Sequence, residues 1–142
     1  MKAPVIADIR LINKGVRLRA DIEGKPSVEI DSNPPYGAGD TMSALELFLT
    51  SLCACSGGTV LAILHKMRKT VHGFSIHAEG ARSEEPPSSF KIIRLKFTLA
   101  SPDTSEAEFL KTIRLAEESY CPVWAMIKGN VEVFTEAEIT KE

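Results

Sequence analysis

The chain has 142 residues, 44% of them hydrophobic and 25% charged, a balance that excludes disordered, collagen-like and low-complexity classes. Nineteen acidic against 17 basic residues leave a net charge of -2, without the basic excess that binding a phosphate backbone requires, so no nucleic-acid partner is expected. Three cysteines are an odd number and too few for a disulfide scaffold, which leaves free, catalytic or metal-binding thiols.

The opening residues, Met1-Lys2-Ala3-Pro4 and the strand-like run after them, lack a long apolar stretch ending in a small-residue cleavage site. No export signal is read, and a cytoplasmic location is expected. From Val5 to about Ile30 short apolar runs are punctuated by Asn13-Lys14-Gly15 and Glu23-Gly24-Lys25-Pro26, which predicts a three-stranded meander. Asp31 to Asp40 collects the prolines and glycines of a loop.

Ser43 followed by Glu46 has the spacing of a capping box, and a long helix is predicted from Ala44 to about Arg68. No charged residue falls between Leu47 and Leu64, a length close to that of a membrane span. Thr50, Ser51, Ser56, Gly57, Gly58 and Thr59 interrupt that stretch, so it is read as a buried central helix and no membrane association is expected. The small residues from Ala54 to Gly58 would let another segment approach closely, from the same chain or a second copy.

Alternation resumes at Phe74, Ile76 and Ala78 and again from Phe90 to Leu99, with Pro86-Pro87-Ser88-Ser89 as the loop of a hairpin. Ser105 to Tyr120 regains helical spacing, with Thr104 or Ser105 as cap. Pro122 discourages helix at Cys121 and suits the first turn of a new one, so Cys121 is placed at a junction between helices. A last strand is predicted from Asn130 to about Thr135. With no repeat and no composition shift, residues 1–142 are read as one domain.

Three segments carry a resemblance that covers nearly the whole chain. They are Met42-Ser43-Ala44-Leu45-Glu46-Leu47-Phe48-Leu49-Thr50-Ser51-Leu52-Cys53-Ala54-Cys55, then Glu84-Glu85-Pro86-Pro87-Ser88-Ser89-Phe90, then Glu117-Glu118-Ser119-Tyr120-Cys121-Pro122-Val123. In this order and at this spacing they resemble the OsmC/Ohr family, osmotically inducible protein C and the organic hydroperoxide resistance proteins, and within it the OsmC-like branch. The resemblance implies an α+β, OsmC-like fold with antiparallel β-sheets wrapped around long central helices in an intertwined homodimer. It implies a thiol-dependent peroxidase that reduces organic hydroperoxides in oxidative-stress defence, without metal or organic cofactor, recycled by a dithiol or lipoyl-type reductant. Cys55 matches the attacking position and Cys121 the resolving one, which would close a disulfide on the first.

The sequence departs from the Ohr type in two ways. Ser43 or its neighbour stands where that type has proline, and Glu46 lies one residue nearer the cysteine. At about 100° per residue Glu46 falls on the face opposite Cys55, so it is retained as a possible supporting residue with helix capping as the competing role. The activating arginine of the family has three candidates here, Arg17, Arg19 and Arg82, and no local motif chooses among them.

Each residue also has a plainer reading. A cysteine on an apolar helix face is by default a small buried hydrophobe. Cys121, preceding Pro122, faces the N–H groups and positive end of a short helix, which would lower its pKa and argues for the reverse assignment of roles. Cys53 projects to another face than Cys55 and is read as outside the chemistry. His65, His72 and His77 have no second ligand at useful spacing, so no metal site is assigned. Phe48, Trp124 and Met126 are candidates for an apolar substrate pocket or for ordinary core. The functional alternative to peroxidase is a small-molecule binding protein that keeps the fold with little or no turnover.

Overall fold

Turn chemistry sets the first strands. Asn13 folds its side chain back to accept from the Gly15 and Arg17 amides, at 2.9 and 3.1 Å, and so reverses the chain between β1 (Asp8–Leu11) and β2 (Leu18–Asp21). Gly24, at φ +79°, adopts the left-handed conformation that the next turn needs before β3 (Val28–Ile30). In this computed structural model, which describes all residues Met1–Glu142, the three strands form an antiparallel sheet in the order β1-β2-β3. Register puts Ile9 opposite Ala20 and Leu11 opposite Leu18, with Val28 and Ile30 completing the same face. That face stays largely open: Ile9 is 59% exposed and Leu11 58%.

The loop that follows is held by charge. Arg17 reaches Glu29 at 2.8 Å and Asp40 at 2.9 Å, with the buried Asp31 at 3.6 Å. Asp31 in turn accepts from the Ser32 and Ala38 amides. These residues belong to the first of two units into which the chain divides, Met1–Phe48 and Leu49–Glu142.

Helix α1 (Ala44–Lys66) begins with the predicted capping box: the Ser43 amide donates to Glu46 at 2.8 Å, and the Glu46 amide donates to Ser43 Oγ at 3.2 Å. Its buried side is Leu52, Ser56, Gly57, Val60 and Leu64. Although apolar around its circumference, α1 has only 28% of its most hydrophobic window buried within the chain. Gly57 explains one small residue. A Cβ there would meet Ile76 Cδ1 at 2.9 Å and Phe74 Cε1 at 3.1 Å, so a strand of the same chain needs its smallness. A Cβ at Gly58 would meet nothing within 4 Å.

The second unit is built on β5 (Phe90–Ala100), whose alternate residues Ile93, Leu95, Phe97 and Leu99 are all at most 1% exposed. It pairs antiparallel with β4 (Gly73–Arg82). The ring of Phe90 fills the space above Gly80, where a side chain would otherwise stand. Helix α2 (Glu106–Leu115) follows, capped by a second box in which Ser105 and Glu108 exchange hydrogen bonds of 2.9 and 3.1 Å. Ser105, not Thr104, is the cap. Thr104 is buried and bonds the Ser101 hydroxyl at 2.8 Å.

The last strand departs from expectation. β6 (Glu132–Thr140) runs five residues beyond the predicted end and pairs parallel, not antiparallel, with β5. The reason is the crossover: three helical segments between β5 and β6 carry the chain back to the starting end of β5, and a parallel partner requires such a connection. The second sheet is therefore mixed, in the order β4-β5-β6, while the first is wholly antiparallel.

Candidate functional site: a dithiol beside an apolar groove

Cys55 lies in the middle of α1, and Cys121 follows a π-helical turn, Ala116–Tyr120, that interrupts the helical run expected to reach Tyr120. The turn closes with the Cys121 amide donating to the Ala116 carbonyl at 2.9 Å. A five-residue turn of this kind is wider than an α turn and commonly marks functional positions. Pro122 then starts α3 (Pro122–Ile127), as its fixed φ and missing N–H favour, and Cys121 serves as N-cap, accepting from the Trp124 amide at 3.4 Å.

This brings the two thiols together. Cys121, 2% exposed, is a hydrogen-bonding neighbour of the half-buried Cys55, and all three cysteines are free. Burial pushes the Cys121 thiol up to about 11, against the smaller lowering effect of the Trp124 and Val123 amides. The end of the six-residue α3 therefore does not win, and the expectation that Cys121 is acidified is corrected. Cys55 adds to the rise. A thiol that donates to a neighbouring sulfur would lose that bond on ionising and would put two like charges side by side. Cys121 thus holds its proton beyond the ordinary thiol range, beside Cys55.

Cys55 also opens on a groove of about 640 Å³, lined from α1 by Ala54, Gly58, Thr59, Ala62, Ile63 and Lys66 and from the facing helical segment by Leu115 and Tyr120. Its walls are mostly apolar, the usual character of a small-molecule site. None of the aromatic and sulfur-bearing candidates lines it: Trp124 is 1% exposed in the core, Met126 is 74% exposed, and Phe48 belongs to the first unit. Tyr120 and Leu115 went unnoticed in the sequence because helical spacing alone does not show which face of the segment turns to α1.

The supporting residues are otherwise engaged. Glu46 is used as the cap of α1, where the Ser43 amide lowers its pKa. Arg19 donates to Ser27 at 2.8 Å and stands 3.5 Å from Asp21, while Arg82 donates to the Ser88 carbonyl at 2.7 Å in the hairpin loop. Arg17 is held by its three carboxylates. Burial raises the pKa of Cys53, and no group of three metal-ligating side chains forms.

An α+β chain with a facing pair of free thiols beside an apolar groove is the class this architecture defines. The chain belongs to the OsmC-like family, whose model, described as OsmC-like protein, matches residues 37–136. Solved structures of similar fold include a hypothetical protein from Aquifex aeolicus VF5, with 23% identity, 98% of each chain covered and a TM-score of 0.85. An OsmC-like protein from Mycoplasma pneumoniae shares 20% identity, covers 99% of this chain and 98% of its own, and has a TM-score of 0.80. The organic hydroperoxide resistance protein OhrB of Bacillus subtilis shares 19% identity, with 96% and 98% covered and a TM-score of 0.66. No curated protein gives a significant sequence match.

Proposed function

We propose that this protein is a thiol-dependent peroxidase that reduces organic hydroperoxides through Cys55 and Cys121. The observation that carries the reading is the pair of neighbouring free thiols, one member of which faces an apolar groove. The Cys55 thiolate attacks the terminal oxygen of the hydroperoxide, the O–O bond breaks, and the products are a sulfenic acid on Cys55 and, after protonation, an alcohol. Cys121 then attacks the sulfenic sulfur, giving a Cys55–Cys121 disulfide and water. A dithiol or lipoyl-type reductant returns both thiols, and neither metal nor organic cofactor takes part. Three free thiols suit a reducing, cytoplasmic compartment. OhrB of Bacillus subtilis, similar in fold, bears a name that supports this substrate class.

In this reading the whole chain acts as one domain and works as a homodimer. The open apolar face of β1-β2-β3 supports a second copy as cover. Dithiol-dependent consumption of cumene hydroperoxide by the wild type, abolished in Cys55→Ser, is the expected result. Binding of the hydroperoxide with no consumption would replace the peroxidase by a binding protein.

A further inference from the structure

The first step of that reaction leaves a need unmet. When the O–O bond breaks, its electron pair goes to the departing oxygen, and an alkoxide is a poor leaving group unless a proton reaches it as the bond breaks. The donor must share the groove with Cys55. Apart from Cys55 itself, the groove walls carry three groups with a proton to give, on Thr59, Lys66 and Tyr120.

Two of these are disqualified. Thr59 directs its hydroxyl hydrogen to the Cys55 carbonyl, at 2.8 Å. Lys66 stands eleven residues beyond Cys55 on α1, which at 1.5 Å per residue is roughly 16 Å along the axis. Tyr120 remains. Its phenol is 63% exposed at the groove and makes no hydrogen bond with the protein, so its proton is uncommitted. The π turn explains its position: consecutive residues are sent opposite ways, Cys121 into the interior beside Cys55 and Tyr120 out to the groove onto which Cys55 opens. Cys121, buried and absent from the groove walls, is not placed to meet a departing oxygen there.

We infer that Tyr120 is a catalytic residue, the general acid that protonates the leaving alkoxide. The step balances as follows: Cys55 thiolate, hydroperoxide and the Tyr120 phenol give Cys55 sulfenic acid, alcohol and Tyr120 phenolate, which regains a proton from water. The inference rests on the peroxidase reading and can fail without it.

The test is the rate at which reduced protein consumes one equivalent of oxidant, compared for wild type and Tyr120→Phe with two oxidants. Tert-butyl hydroperoxide releases an alkoxide that needs the proton; peracetic acid releases a carboxylate that does not. Tyr120→Phe should slow the hydroperoxide by about 100-fold, the lower end for general acid catalysis, and leave the peracid rate unchanged. Equal slowing with both oxidants would mean a structural defect and overturn the assignment, as would no slowing with either. A wild type that consumes neither oxidant would bring down the peroxidase reading, and Tyr120's role with it.

Discussion

Of the two neighbouring thiols, Cys121 is the one that burial holds in its protonated form. With its thiol raised to about 11 from the ordinary 9.0, Cys121 stays protonated through the neutral and mildly alkaline range. Iodoacetamide at pH 8 is therefore expected to modify Cys55 well before Cys121, as read by peptide mass mapping; modification of Cys121 first would reverse the roles. The same shift has a consequence for stability. A thiol whose folded pKa is raised stabilises the fold below the unfolded value, and that contribution is lost as the pH rises from about 9 through about 11. The sequence made the pairing legible only through the resemblance. Its local argument at Pro122 pointed the other way, since a helix start can be read from residue order whereas the burial that outweighs it cannot.

Within α1 two adjacent glycines make opposite demands. Replacing Gly58 by alanine meets open space, and the gain in helix propensity should raise stability by about 0.5–1 kcal/mol. At Gly57 the same change presses on Phe74 and Ile76, and overpacking costs of about 1–3 kcal/mol offset or exceed the gain. Urea unfolding of the two variants should rank Gly58→Ala above wild type and Gly57→Ala below Gly58→Ala. The α2 cap gives a second expectation. Glu108, which accepts from the Ser105 amide and lies 2.9 Å from Lys69, is depressed to about 2 from 4.5. Its contribution is present above pH 4.5 and lost as the pH falls toward 2, so Glu108→Gln should flatten that part of a melting-temperature profile. Sequence periodicity recovered the α-helices and strands here but stopped β6 at Thr135. Beyond it Glu136 and Glu138 are charged and Ala137 is small, although Ala137 and Ile139 keep the alternation of an edge strand. The π turn left no mark in the pattern, because one extra residue in a single turn hardly alters helical spacing.

Taken as a molecule, the chain has more apolar surface than it covers. One face of the first sheet consists of Ile9, Leu11, Leu18, Ala20, Val28 and Ile30, and the opposite face carries Asp8, Arg10, Arg19, Asp21 and Glu29. A sheet with such a division should bury its apolar side, yet Leu18 is 37% exposed and Val28 47%, beside the still more open Ile9 and Leu11. Isolated exposed leucines need no explanation, but a whole sheet face does. At about 25 cal/mol per Å², covering it with a second copy yields a driving force that a monomer forgoes. Sedimentation at micromolar concentration should give twice the chain mass of 15.5 kDa. The double variant Ile9→Lys, Leu11→Lys would bury two unpaired charges on that contact, each costly without a partner. It should shift the protein to monomer while leaving the charged face of the sheet as it was. A wild type that sediments as monomer, or a double variant that stays dimeric, would mean that this face is not where two copies meet.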